Sequence, residues 1–460
     1  MITRNKIIRL LMVLGLAVLT RPAPDVSAAA HVQAETTTPI QHFIVVMQQN
    51  HTFDNYFGTY PGANGVPPNT CMPISLSNPD GTDCVAPFWI DTYPLEDLNH
   101  SDTTFEYQYQ DGKMNGFVEA LNRLNQDGAL AMGYYDEQDL PYYWNLADQF
   151  VLFDNYFSSA RTGSITNRMF SIAGRPGAEF NRIPEQGFGD IPTIFDKLEE
   201  RGISWKYYIK DYNPELNYRS LQDLDFLPPQ VQWVPLLGYD RFLDDPELFS
   251  HIVDLDEYYI DLENGTLPAV SYVLLLGATE HPLGDLSLGQ RTTRTMIQML
   301  MQSDAWESSA LLITYDDWGG WYDHVAPPKV DKYGYGFRVP AMLVSAYAHQ
   351  GYIDHTLLDH TSLLKFIEEN WEIPPLAERD AKANNFLSAF DFTAPPREPV
   401  FISSSREARE PLVQPRRSVI FIAYGAALLI AFFILIRAAV TSDIVRNPAY
   451  SVRTGKETKS

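Results

Sequence analysis

The chain has 460 residues, 45% hydrophobic and 13% aromatic, which excludes global disorder and leaves room for one large domain or two ordinary ones. Its 58 acidic residues against 34 basic ones set the formal charge at −24. That balance excludes a duplex or phosphate-backbone binder, which needs a basic face, so no nucleic-acid partner is expected.

At the N-terminus Arg4, Lys6 and Arg9 precede an apolar run from Leu10 to Leu19, and the small residues Ser27 to Ala30 follow. A basic segment, a short apolar run and a small-residue site form a secretory signal peptide over 1–30, with an uncleaved anchor as the alternative. Next comes "FIVVMQQN", residues 43–50, an apolar run of strand type that ends on the amides Gln48, Gln49 and Asn50. Cys71 and Cys84, the only cysteines, lie in a loop rich in Pro, Asn and Gly. In an oxidising compartment they are expected to form a disulfide, since a two-cysteine metal site has no other soft ligand nearby.

Further along, "SSARTGSITNRMF" sets Gly163-Ser164 at what reads as a helix start. Ser164 there is an N-cap or a nucleophile, the second only if a metal or base activates its oxygen. No GxSxG is present, so a nucleophile-elbow hydrolase is not expected. Apolar runs at 269–276 and 309–315 read as further strands, and 192–201, 291–303 and 361–370 as helices. Strands alternating with helices define an α/β body over 38–395 around a largely parallel sheet, with ligands at the carboxyl ends of its strands. The run 309–315 ends on Asp316 and Asp317 before Gly319-Gly320. Adjacent carboxylates at a buried strand tip repel, and a hard divalent cation would relieve them; a solvated turn or helix cap is the other reading. If 43–48 and 309–315 are neighbouring strands, Gln49, Asn50, Asp316 and Asp317 face one ion. His100, His281, His324 and His360 sit beside acidic residues or turns, and a three-histidine zinc site is the rival arrangement, though no HExxH is present.

Beyond a linker rich in Pro, Ser and charge at 396–417, residues 418–436 ("SVIFIAYGAALLIAFFILI") carry no charge and are bracketed by Arg416-Arg417 and Arg437. That is the length and flanking of a transmembrane helix. With the signal peptide setting orientation, the expected protein is single-pass in the cell membrane, its body extracytoplasmic and 437–460 a cytoplasmic tail.

Five blocks in order resemble the bacterial phosphoesterases that include non-haemolytic phospholipases C and respiratory-burst-inhibiting acid phosphatases. They are "IQHFIVVMQQNHTFDNYFG", "MGYYDEQDLPYYWNLADQFVLFDNYFSSARTGSITNRMFSIAG", "TEHPLGDLSLGQ", "LLITYDDWGGWYDHVAPP" and "GFRVPAMLVSAYAHQGYIDH". The resemblance covers 38–375. It implies an alkaline-phosphatase-like α/β fold and a divalent metal of unspecified identity. Ser164 falls at the nucleophile, and Gln49, Asn50, Ser164, Asp316 and Asp317 fall around the metal. His100 and His281 fall on residues that, with Asn50, surround the phosphate or protonate the leaving group. His324 would support them at most. The substrate class implied is a phosphate ester, a phospholipid among them. One departure matters: where the family has glutamate this chain has Gln49, which removes a negative charge from the metal shell. A surface protein that binds phosphorylated ligands without turnover is the reading from a different class.

Overall fold

The computed structural model describes residues 35–79, 83–91, 96–224, 226–406, 424–435 and 437. The signal peptide read at 1–30 lies outside them. The chain divides into two compact units, Met1–Arg406 and Glu407–Ser460.

In the first unit eight strands form one sheet: β1 (His42–Gln48), β2 (Val151–Phe153), β3 (Trp205–Ile209), β4 (Ile252–Asp254), β5 (Val270–Leu274), β6 (Ser309–Tyr315), β7 (Ala341–Ser345) and β8 (Tyr352–Asp354). Their order across the sheet is β8-β2-β7-β6-β1-β5-β3-β4. All neighbours pair parallel except β7, which runs against both β6 and β2. The largely parallel sheet expected from the sequence is therefore a mixed one with a single reversed strand.

The central strands are apolar on both faces because helices cover both. The helices that matter here are α1 (Phe53–Phe57), α2 (Asp102–Tyr109), α3 (Pro141–Gln149), α4 (Ser164–Ala173), α5 (Ile194–Arg201), α6 (Asp256–Asn264), α7 (Leu286–Gln302) and α8 (Thr361–Asn370). Phe43 of β1 packs on Phe366 of α8 with ring centroids 4.7 Å apart. On the same face Tyr272 of β5 meets Phe195 of α5 and donates through its hydroxyl to Ser171 O of α4 at 2.8 Å. On the opposite face Tyr208 of β3 stacks edge-on against Tyr258 of α6. Phe43 to Val46 are fully buried, and each such side chain contributes roughly 1.5–3 kcal/mol by leaving water.

β1 and β6 pair in register from His42↔Ser309 to Gln48↔Tyr315, so the two strands end together. The Asp316 amide extends the ladder by donating to Gln48 O at 3.2 Å. Gly319 then turns the chain at φ +59°, where a Cβ would lie 2.3 Å from Asn50 O, so only glycine permits this approach. Asn50 also sits in the left-handed region, at φ +62°, which asparagine tolerates better than most residues.

Cys71 and Cys84 form the expected disulfide, Cα–Cα 5.5 Å, across the loop that follows α1. Residues 396–406, within the stretch read as linker, lie on the first unit. Ile402 is buried, the Arg397 amide donates to Ala346 O at 2.8 Å, and Arg406 pairs with Asp148 at 2.5 Å.

In the second unit 424–435 are helical and their large apolar side chains are exposed, Leu428 by 71%. Among the described residues no helix is long and apolar enough to cross a membrane. The rest of the span expected at 418–436, apart from 424–435, lies outside the described residues, as do 438–460.

Candidate active site

The tips of β1 and β6 and the start of α4 meet in one buried cluster. Gln49, Asn50, Asp316 and Asp317 are fully buried and Ser164 is nearly so. Burial removes the solvated-turn reading of the paired aspartates. Gly163, not Ser164, occupies the N-cap of α4 and makes no side-chain capping bond; the Ser164 hydroxyl instead donates to Asp317 Oδ2 at 3.1 Å. The helix closes on Gly174 in the left-handed conformation that suits glycine after a C-terminus.

Asp316 is held from three sides. Arg168, one turn along α4 from Ser164 and buried, donates through Nε to its Oδ2 at 2.9 Å, and Gln49 Nε2 reaches the same oxygen at 3.0 Å. Its Oδ1 accepts the Asp317 amide at 2.9 Å. Arg168 also donates to Met47 O and Trp233 O, which pins α4 to the β1 tip. Among the described residues no arginine or lysine pairs with Asp317. Burial raises its carboxyl above the usual carboxylate range, and His100 opposes the shift.

Three amide oxygens at the end of β1, Gln48 Oε1, Gln49 Oε1 and Asn50 Oδ1, are buried without a hydrogen-bond partner. Orphaned acceptors of this kind call for a donor or a cation. Gln48 faces the Glu280 carboxyl, whereas Gln49 and Asn50 lie with the two carboxylates and the Ser164 hydroxyl, an all-oxygen set suited to a hard divalent ion. The residues named for metal binding are therefore brought together and fit such an ion, with one carboxylate fewer than a shell containing glutamate at position 49.

The histidines do different things. His100 donates through Nδ1 to Leu98 O at 2.7 Å, so Nε2 accepts from Asn50 Nδ2 at 3.0 Å. Burial would lower its pKa, but Asp317 and Asp97 outweigh that and raise it. His281 donates through Nδ1 to Pro282 O at 3.0 Å, stacks on Trp233, and points Nε2 at Asp97, 3.7 Å away. The two rings lie 6.5 Å apart. His360 donates to Asp316 O at 2.9 Å, and His324 pairs with Asp54 at 2.7 Å, so the four do not converge on a zinc site.

Among the described residues one cluster of acidic and histidine side chains has metal-like spacing: Asp54, Asp323 and His324. It already holds a cation. Arg338, fully buried, donates to Asp323 Oδ1 at 2.9 Å and Asp54 Oδ1 at 3.0 Å, and this ion-pair network fastens α1 to the loop after β6.

Sequence reasoning missed Glu280, although it stands in the quoted block beside His281. Its buried carboxyl accepts from Tyr56 at 2.9 Å, Tyr315 at 2.5 Å and Tyr143, and Gln48 Nε2 lies 3.4 Å away. Burial pushes the carboxyl up to about 7, against the pull of these hydrogen bonds. Glu280 is at φ +65° and its carbonyl accepts from His51 Nε2 at 2.9 Å, so the node sets where His281 begins. Tyr143 of α3 belongs to this node, and it and Tyr142 beside it are buried in the core. The positioning roles of Arg168 and Asp97 were equally unforeseen.

A buried serine on a carboxylate, orphaned oxygens and paired imidazoles define a site for transfer at an oxygen-rich centre. The profile of the Phosphoesterase family matches residues 40–374, and the chain belongs to that family, whose members are hydrolases of phosphoric esters. Phospholipase C B of Mycobacterium tuberculosis is 30% identical over 425 residues, covering 78% of this chain and 79% of that protein. Non-specific phospholipase C1 of Arabidopsis thaliana is 26% identical over 402 residues, covering 78% and 72%. Among solved structures, a protein in the alkaline phosphatase superfamily from Vibrio parahaemolyticus aligns with TM-score 0.34 and 11% identity, over 83% of this chain and 81% of that one. The lipoteichoic acid synthase LtaP from Listeria monocytogenes aligns with TM-score 0.38 and 8% identity, over 77% and 79%. The family assignment rests on the sequence match alone.

Proposed function

We propose that the chain is a membrane-anchored, extracytoplasmic, metal-dependent phosphoesterase, phospholipase C-like or acid phosphatase-like, that hydrolyses phosphate esters through Ser164. The observation that carries this reading is the Ser164 hydroxyl on buried Asp317, in a pocket with the unpartnered oxygens of Gln49 and Asn50. Gln49, Asn50, Ser164, Asp316 and Asp317 would hold a divalent cation. When bound, such an ion acidifies a nearby hydroxyl and neutralises charge on phosphoryl oxygens.

The chain's own groups supply the rest. Asp317, which the Ser164 hydroxyl donates to, takes that proton as the Ser164 oxygen attacks phosphorus and displaces the alcohol, and gives it back when Ser164 is released. Asn50 Nδ2 donates to a phosphoryl oxygen, held for that role by His100 Nε2. The proton for the departing oxygen comes from His281 Nε2, which faces Asp97 at 3.7 Å. Water, deprotonated by the same His281, then cleaves the phosphoserine and returns Ser164. The basic and apolar pattern of residues 1–30 and the apolar 418–436 stretch support an anchored body outside the cytoplasm.

A second reading, binding without turnover, is favoured by one observation. Arg168 and the Gln49 amide already occupy Asp316, where a metal ligand would need a free oxygen. Hydrolysis of p-nitrophenyl phosphate and p-nitrophenylphosphorylcholine by the full chain in detergent, with Mg²⁺, Mn²⁺ or Ca²⁺, separates the two. Ser164→Ala is expected to lower turnover by at least about a thousandfold with an unchanged melting temperature, while Gln49→Glu raises both turnover and metal affinity. Turnover that survives Ser164→Ala sinks the nucleophile assignment. Activity found only in Gln49→Glu makes the natural protein a binder.

A further inference from the structure

Where α3 meets α7 there is a cavity of about 320 Å³ that shares no lining residue with the Ser164 cluster. Tyr142 of α3, Gln290, Arg291 and Arg294 of α7, and Ser404 line it. Two donors there have no acceptor. Tyr142 is only 2% exposed, and its hydroxyl is buried without a hydrogen-bond partner; Arg294 Nε is buried in the same condition. Burial raises the Tyr142 pKa and the Arg294 charge opposes the shift, so the phenol keeps its proton and stands near the guanidinium as a second donor.

The neighbouring acids are engaged elsewhere. Asp139 accepts from Trp89 Nε1 at 2.7 Å and from the Asp136 amide at 3.2 Å. Asp285 caps α7 by accepting the Ser287 and Leu288 amides, at 2.8 and 3.2 Å, and reaches Arg291 only at 3.7 Å between exposed side chains. Among the described residues no carboxylate pairs with Arg294. In a chain with 58 acidic residues against 34 basic ones, an arginine without a carboxylate does not lack for candidates.

A shielded donor without an acceptor weakens a fold unless something supplies the acceptor. A cation would be repelled by the two guanidinium groups, and an apolar guest would leave both donors unpaired. An oxyanion satisfies both, because its oxygens match the guanidinium fork and can also accept from a phenol. Two positive charges on one wall favour an ion with two negative ones. The next residue on α3 and the one before Arg294 on α7 are Tyr143 and Thr293, whose hydroxyls lie 3.3 Å apart in the Glu280 node.

We propose that this cavity binds a small, doubly charged oxyanion through Arg291, Arg294 and the Tyr142 hydroxyl, and that the ion ties α3 to α7 beside the Glu280 node. The site stands apart from the phosphoesterase reading and needs no turnover to be seen.

Sulfate is the probe. Calorimetric titration of the full chain in non-ionic detergent, with sodium chloride holding the ionic strength constant, is expected to show one saturable site. Arg294→Gln should weaken it at least about tenfold, and Arg291→Gln and Tyr142→Phe at least about threefold. Arg201→Gln, which removes the same charge from an exposed position on α5, should leave the affinity within about twofold. Saturating sulfate should raise the melting temperature of the wild type by at least about 1 °C over chloride, and that of Arg294→Gln not at all. Tyr142→Phe carries a separate signature. Without sulfate it should melt no lower than the wild type, since the hydroxyl it removes has no partner to lose.

No saturable sulfate binding, an equal response to chloride, or an equal weakening by Arg201→Gln would overturn the proposal. Binding that survives Arg294→Gln and Arg291→Gln alike would move the ion elsewhere, the Ser164 cluster included, and overturn it too. A lower melting temperature for Tyr142→Phe in the absence of sulfate would make the hydroxyl structural and take it out of the site.

Discussion

Glu280 shows how much one buried side chain decides. Its carboxyl is fully enclosed and receives three tyrosine hydroxyls, so it holds its proton up to about pH 7. In the unfolded chain the same group ionises near an ordinary glutamate pKa of about 4.3. Below that pH both states are protonated and the group is indifferent to folding. As pH rises from there towards about 7, the unfolded state releases the proton first, and the native state loses stability throughout that window. The loss amounts to at most about 4 kcal/mol. Glu280→Gln, which cannot ionise, is expected to flatten the melting temperature between pH 4.5 and 7. Parallel pH profiles for variant and wild type would rule this out. Because His281 is the next residue, the variant is also expected to lower turnover modestly.

At the level of elements, the site is a junction of two strand tips and one helix start, and its tightest point is Gly319. A Cβ there would meet the Asn50 carbonyl at 2.3 Å, and the backbone at φ +59° disfavours any other residue. Gly319→Ala is expected to cost on the order of 1–3 kcal/mol and to displace Asn50 from His100. Thermal melts and turnover should fall together; a stable variant with full activity would show that the strand tips tolerate separation.

This junction was largely legible in the sequence. The runs 43–47 and 309–315 end on polar pairs, and β1 and β6 do pair in register so that those pairs meet. The helix at 361–370 is found with those bounds, and the one read at 291–303 begins earlier, at Leu286, where Asp285 caps it. Strand β2 is only three residues long, too short to carry a period, so the reversed β7 beside it could not be placed. Glu280, Arg168 and the Asp54–Asp323–Arg338 network stayed hidden for another reason. Each acquires its role from partners 15 to 284 positions away, as with Arg338 and Asp323 or Asp54, and local pattern carries no record of such contacts.

For the whole molecule the dominant feature is charge. An excess of 24 negative charges over 460 residues repels itself in the folded state, and salt screens exposed pairs beyond a Debye length of about 8 Å at 0.15 M. The melting temperature is therefore expected to rise between 20 and 300 mM NaCl, with most of the gain at the low end. A melting temperature that is flat or falls with salt would mean that the attractive pairs, such as Arg219 with Asp240 and Asp244, outweigh the net repulsion.

Charge has a further consequence inside the pocket, where Arg168 faces Asp316. With both carboxylates ionised, Asp316, Asp317 and Arg168 between them carry a single negative charge, because position 49 is neutral. A divalent cation alone would overshoot to positive, and a phosphate dianion alone would meet a like charge. Each thus makes room for the other, and linkage requires the effect to be mutual. Metal titrations followed by calorimetry are expected to give a tighter dissociation constant when inorganic phosphate is present. In Gln49→Glu, where cation and cavity already balance, that reciprocity should fade. Affinity for metal would then be a property of the pair of ligands together, set by a residue that touches neither the phosphorus nor the leaving group.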